Sequence, residues 1–545
     1  MSACGGGGGS TAAATAAGST TPNASAPAEQ SPTDVVTYKN DVARTGQNLT
    51  ESVLTPANVN AASFGLLRNL MVDGKVDAQP LYLSHLNQSG ATRNVVYVAT
   101  ENNSVYAFDS DSGAVLWRVS LNGAGEVASD NHGCSQVTPT IGITSTPVID
   151  RKAGANGTIF LVAMSVDSSG TYHQRLHALD VTSGAELLGG PTSIAATYGA
   201  TSFDPGVYTE RAALLLSNGM LYTSWSSHCD NNTYGGWIIA YAESTLAPAA
   251  AINVAPGASS APLDTGSAAT GGLANQGPSI WMSGDGPGAD TAGNVYLLTA
   301  NGQFETALDS GGFPSGGDFG NSFLKLSLSG SALLVGDYFT MANEVSESQN
   351  DQDLGSGGEM LLPDQTDSGG TVWHLMVGAG KDGNLYLVNR DSMGKFNASN
   401  NNIRQQLTGV LAHGIFSSPA YFNGTIYYGP VSSALLAFSV NNATVSGPLM
   451  AHSPTQFGYP GTSPVVSANG TANAIVWAYE NASGSAAVLH AYDATNLASE
   501  LYNSNQAANG RDLFGSGNKY ITPTVADAKV FVATASSVAV FGLLH

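Results

Sequence analysis

The sequence predicts an all-β fold, an eight-bladed β-propeller closed by an N-terminal strand. Three observations carry that prediction. First, a strand pair recurs eight times. The later strands of the pairs are Val105-Tyr-Ala-Phe-Asp109, Leu176-His-Ala-Leu-Asp180, Ile238-Ile-Ala-Tyr241, Phe323-Leu-Lys-Leu326, Leu385-Tyr-Leu-Val388, Leu436-Ala-Phe438, Leu489-His-Ala-Tyr-Asp493 and Val538-Ala-Val-Phe541. Each follows another short β-rich run, such as Val95-Val-Tyr-Val-Ala99 or Val530-Phe-Val-Ala533. Units that bury a face only against their neighbours form one repeat domain rather than several independent ones. Second, 65 Gly, 8% aromatic and 11% charged residues suit short strands, tight turns and uncharged loops better than helices. Third, several units open on a small polar residue and a proline: Gln79-Pro80, Thr146-Pro147, Ser418-Pro419, Ser463-Pro464 and Thr522-Pro523. Proline at the first residue of a strand loses no ladder bond, which suits an innermost strand entering from a loop.

In chain order, Met1-Ser-Ala-Cys4 followed by Gly5 to Gly9 resembles the processed end of a bacterial lipoprotein, with Cys4 as the acylated residue. Residues 1–33 are expected to form a lipoprotein-like terminus and a disordered linker, because Gly, Ala, Ser, Thr and Pro bury too little apolar area to offset ordering entropy. Residues 34–545 form the propeller. Ala114-Val-Leu-Trp-Arg-Val119 supplies a fourth strand after the turn Asp109-Ser-Asp-Ser-Gly113. The last unit has its inner strands within Ile521 to Phe541 and no sequence left for a fourth. Phe64-Gly-Leu-Leu-Arg-Asn-Leu-Met-Val72 is the segment expected to cover that edge and join the ends of the ring. Gly/Ser/Asp-rich insertions at 120–140, 189–210, 245–277, 302–320 and 340–358 are the long loops where a site is expected.

A net charge of −22 and only 18 Lys plus Arg argue against nucleic acid as a partner. No apolar run approaches the roughly 18 residues of a membrane span, so membrane contact is expected only through a lipid anchor. Cys134 and Cys229 permit one disulfide or two buried thiols. Together with His132 and His228 they would supply a tetrahedral zinc site if their loops met. The chain contains no nucleophile elbow, Walker loop, dinucleotide fingerprint or His-Glu-x-x-His. It contains no Cys-x-x-Cys-His, so any electrons leave to a separate acceptor rather than a fused c-type haem.

Asn103-Ser-Val-Tyr-Ala-Phe-Asp-Ser-Asp-Ser-Gly-Ala-Val-Leu-Trp117 resembles the blade repeat of the pyrroloquinoline quinone (PQQ)-dependent alcohol dehydrogenases, whose docking motif ends on Gly and Trp. Tyr38-Lys-Asn-Asp-Val-Ala-Arg-Thr-Gly46 is similar to that family's opening segment. The resemblance implies an eight-bladed propeller, PQQ and Ca as cofactors, and a small alcohol or sugar as substrate. By the same resemblance, Trp281 stacks on the quinone and Lys381, in Gly378-Ala-Gly-Lys-Asp-Gly383, contacts its oxygens. Asn301 and Asp353 bind the cation, and Asp353 is the catalytic base. Asp77 stands where the family has a cofactor-binding glutamate, and Asp167 is the nearest acid to the glutamate that completes the metal site. The departures are a single cysteine, Cys134, where the family has a vicinal pair, no arginine after it, and these two shortened acids. Each residue also has a plain structural reading: a core tryptophan, an Asn-Gly turn, an acidic turn, a Lys-Asp-Gly hairpin. Two functions therefore stand open: an extracytoplasmic, periplasmic or outer-membrane-anchored quinoprotein, or a cofactor-free propeller lipoprotein that binds a protein or glycan partner.

Overall fold

The computed structural model describes residues 33–229, 234–257, 277–482 and 484–544. Eight antiparallel sheets succeed one another as blades around a ring. Blade 1 consists of Leu81–Gln88, Ala91–Ala99, Ser104–Asp109 and Val115–Ser120, paired in sequence order from the hub outward. The inner strands of blades 2 to 7 are Val148–Asp150, Leu215–Ser217, Gly288–Ala289, Glu359–Leu361, Ala420–Phe422 and Val465–Asn469. The prolines at 80, 147, 419, 464 and 523 each stand just ahead of an inner strand, as expected. One short α-helix, Glu344–Gln349, lies in the 340–358 insertion. The lipid-anchor residue proposed at Cys4 lies outside the described residues.

The ring closes as the sequence predicts. Blade 8 contains Thr524–Ala526, Lys529–Ala533 and Ser537–Leu543, and Phe64–Met71 pairs antiparallel with the last of these. Phe64 anchors this closing strand among rings from two blades, 5.0 Å from Tyr502, 5.5 Å from Trp477 and 6.2 Å from Phe541. Such aromatic contacts add to the apolar burial that drives closure.

Neighbouring blades are locked by the tryptophan read from the repeat. Trp117 Nε1 donates to the Val181 carbonyl of blade 2 at 3.0 Å. Its ring lies on Gly184, where an added Cβ would fall 2.7 Å from a ring carbon. Gly184 also has φ +69°, so both space and backbone call for glycine.

The opening segment does more than precede the propeller: it plugs the hub. Lys39 Nζ donates to the carbonyls of Pro419 (2.9 Å), Pro464 (2.5 Å) and Ser418 (3.4 Å), at the starts of blades 6 and 7. All three nitrogens of the Arg44 guanidinium are engaged, by Gly286, Pro287, Leu214, Tyr38 and Thr37. Tyr38 Oη meets Ser418 Oγ and Thr522 Oγ1. Gln47–Asn48 then adds a parallel pairing to the inner strand of blade 7. Lys39 and Arg44 are fully buried, and carbonyl oxygens satisfy charges that would otherwise be expensive to desolvate.

Candidate functional site

Above this plug lies a cavity whose walls are chain segments of two kinds. Residues leading into inner strands supply Gln136 and Val137 (blade 2), Arg211 (blade 3), Trp281 and Ser283 (blade 4), Asp351, Asp353 and Ser356 (blade 5), Phe416, Tyr459 and Tyr520. Residues following second strands supply Ala300, Asn301 and Lys381. In an up-and-down blade both kinds of position fall at the same end of the sheet, so alternation of strand direction alone gathers them on one face. Trp281, Asn301, Asp353 and Lys381, separated by a hundred residues of chain, are thereby brought to one place.

Their polar contacts interlock. Asp353 Oδ1 accepts the Asn301 backbone N–H at 3.1 Å, and Asn301 Nδ2 donates to Asp351 Oδ1 at 3.2 Å. Lys381 Nζ lies 2.7 Å from Asp351 Oδ1 and 3.6 Å from Asp353 Oδ2. Burial pulls the Lys381 ammonium down, but Asp353 and Asp351 outweigh it and hold its pKa above the usual lysine value. Met282, Ser283, Asp351 and Tyr520 all have φ between +47° and +62°. Left-handed backbone at non-glycine residues is unfavourable, and its concentration in this wall marks a place where side-chain position outweighs local stability.

An aromatic arc completes the cavity. Phe416 meets Tyr459 edge-on at 5.3 Å, and the Tyr459 and Tyr520 hydroxyls are 2.7 Å apart. Lys381 stands over the Phe416 ring at 5.8 Å and Arg211 over the Tyr520 ring at 5.7 Å. The arc therefore runs between two cations. Sequence reasoning missed Arg211, as well as the aromatic trio. The available signal was positional: Arg211 precedes an inner strand as Trp281 and Asp353 do.

Two expected site acids lie off the cavity wall. Asp77 leads into blade 1 at the same end of the ring, but its carboxylate is buried against Asn518 Nδ2 at 2.6 Å. Burial alone would raise the Asp77 pKa; Lys75, Arg211 and its hydrogen bonds reverse this and lower it. The proton goes instead to Glu101, pushed up to about 10 by burial and by the Asp77 charge. Asp167 sits at a hairpin tip, accepting N–H bonds from Ser169 and Thr171 and facing His173 Nε2 at 3.3 Å. Asp-Ser-Ser-Gly is a strong turn sequence, and the turn takes the carboxylate for itself. Glu359, near Asp353 in sequence, is buried below the floor, where burial and Asp285 raise its pKa.

The loops carrying Cys134 and Cys229 do meet. Their sulphurs are bonded, with Cα atoms 5.6 Å apart. The thiolates a zinc site needs are thus consumed, and His132 and His228 stack at 3.9 Å beside the bond. This cross-link pins the segment that presents Gln136 and Val137 to the cavity.

No family model matches the chain, and no curated protein matches it. Among solved structures, the quinohemoprotein alcohol dehydrogenase from Comamonas testosteroni superposes with a TM-score of 0.60 at 15% identity, covering 94% of this chain and 80% of that one. The fold is shared. A europium-containing methanol dehydrogenase superposes with a TM-score of 0.58 at 14% identity, covering 94% of this chain and 99% of that one. A quinohemoprotein alcohol dehydrogenase from Pseudomonas putida HK5 gives 0.57 at 14%, with 94% and 80% coverage. At these identities the likeness is one of architecture: the chain shares the propeller fold of these enzymes.

The wall fits a flat, anionic cofactor: an aromatic surface for its face and two cations for its acidic groups. For a cation the wall offers two carboxylates, Asp351 and Asp353, and the Asn301 amide oxygen. Among the described residues no three His, Cys, Asp or Glu side chains cluster as a metal site. A hard cation takes six to eight oxygens, so the remainder would come from the bound ligand and water.

Proposed function

We propose that the chain is an extracytoplasmic quinoprotein that oxidises a small alcohol or sugar and passes the electrons to a separate acceptor. The observation that carries this reading is the meeting of Trp281, Asn301, Asp353 and Lys381 in one cavity at the hub. PQQ, when bound, supplies the electron-accepting carbonyl, and Ca, held by Asp353 and Asn301 with Asp351 nearby, supplies Lewis acidity. The chain does the rest. Trp281 offers a flat surface that orients the ligand. Asp353 receives the hydroxyl proton of the substrate on its carboxylate. Lys381 stands beside both aspartates, 2.7 Å from Asp351 and 3.6 Å from Asp353, where negative charge develops afterwards. The disulfide supports an oxidising compartment, in keeping with a periplasmic or outer-membrane lipoprotein anchored through Cys4.

The second reading, a cofactor-free propeller that binds a protein or glycan, is favoured by one observation. The cavity holds about 120 Å³, below the ~300 Å³ at which small-molecule sites begin, so a quinone must protrude through the opening or displace the Gln136 segment. Reconstitution with PQQ and Ca, followed by dye reduction over a panel of alcohols and sugars, decides between them. Asp353→Asn is expected to lower turnover by about 100-fold or more. Absence of both quinone binding and dye reduction in the wild type would favour the binding module.

A further inference from the structure

Arg211 is 2% exposed. A guanidinium carries five N–H donors, and here one bond goes to the Thr144 carbonyl (3.1 Å) and one to the Tyr520 carbonyl (3.4 Å). No carboxylate stands within ion-pairing distance among the described residues, although Asp77 feels its charge. The other buried arginines differ: Arg44 has all three nitrogens engaged, Arg151 pairs with Asp34 at 2.5 Å, and Arg390 faces Asp290 at 4.0 Å. A buried cation with idle donors and no counter-charge is expensive unless an anion arrives. The surroundings are shaped to hold it in place. Gly284 has φ +85°, and a Cβ there would fall 2.5 Å from Arg211 Nη1, so glycine allows the guanidinium to lie against the backbone. Tyr520 covers one of its faces.

We propose that Arg211 is the anion anchor of the cavity, receiving a carboxylate at the end of a flat aromatic ligand whose other end is held by Lys381. The assignment rests on the quinone reading for the identity of the ligand, but not for its charge. Recognition is then of a planar polyanion along the Phe416–Tyr459–Tyr520 arc, and a neutral analogue is discriminated against.

The test uses the full chain and three probes: PQQ, its trimethyl ester and benzene-1,3,5-tricarboxylate. Binding is followed by calorimetry and by quenching of tryptophan fluorescence. Arg211→Gln is expected to weaken PQQ by about 10- to 100-fold, the range of a charge-assisted bond, and to leave the ester within about twofold. Arg211→Lys should fall between. In the absence of ligand, Arg211→Gln should unfold at a midpoint equal to or above the wild type, because it removes an unpaired buried charge; a structural strut would instead lower it. If wild type binds neither PQQ nor its ester but binds the tricarboxylate in an Arg211-dependent way, the quinone reading fails and the anchor stands. Equal losses for acid and ester in Arg211→Gln, or no Arg211-dependent binding of any probe, would overturn the assignment.

Discussion

Replacing both Cys134 and Cys229 with alanine should cost several kcal/mol of stability and loosen the cavity wall together. The bond closes a loop of 95 residues between blades 2 and 3. Chain-entropy reasoning gives about 5 kcal/mol for a loop of that length, as a ceiling set by how expanded the unfolded chain is. With a urea slope of a few kcal/mol per molar for a chain of this size, the midpoint should fall by roughly 1 M or more. The assay is urea unfolding of wild type and double mutant followed by tryptophan fluorescence, repeated on wild type with reductant. Reduced wild type and double mutant should coincide. Cys134 is 3% exposed, so reductant should act slowly until the loop opens. Identical midpoints for oxidised wild type and double mutant would refute the reasoning, because they would mean that blade packing alone fixes the two loops.

Three further outcomes follow from single contacts. Trp117→Phe removes the bond to the Val181 carbonyl, which Tyr97 Oη also serves, and should cost about 1 kcal/mol in thermal or urea unfolding, whereas Trp117→Ala should cost about 3–5 kcal/mol. Gly184→Ala forces a side chain onto the Trp117 ring and into left-handed backbone, a loss of about 2 kcal/mol or more in the same measurement. Burial first and then the stacked His132 hold the His228 pKa down at about 4, against 6.5 when unfolded. A depressed folded pKa gives stability that is full above pH 6.5 and lost as pH falls towards 4. The loss should approach about 3 kcal/mol from this group, and His228→Phe should flatten the stability profile over that window.

Much of the ring was legible because strand period and proline position are local properties. The closing strand was inferred from a missing partner, and Phe64–Met71 pairs where the gap required it. The meeting of Trp281, Asn301, Asp353 and Lys381 followed from resemblance, yet it also has a topological cause, since each stands at the same end of a blade. Asp167 shows the limit of register reasoning: a turn a few residues long can claim a carboxylate for its own backbone. Arg211 and the hub plug were illegible for a different reason. Both depend on contacts more than a hundred residues apart in sequence, Lys39 with Pro464 and Arg211 with Tyr520, and local patterns such as the position of Arg211 ahead of an inner strand do not reveal those partners.

The pairing of Phe64–Met71 with Ser537–Leu543 sets a schedule for biogenesis. Phe64–Met71 leaves the ribosome more than 400 residues before the strand it pairs with, and Lys39 and Arg44 wait for carbonyls made hundreds of residues later. A nascent chain therefore carries a bare sheet edge throughout synthesis, inviting pairing with other molecules. Deleting Ser537–Leu543 should do more harm than deleting a whole surface loop, because it leaves the circle unfastened.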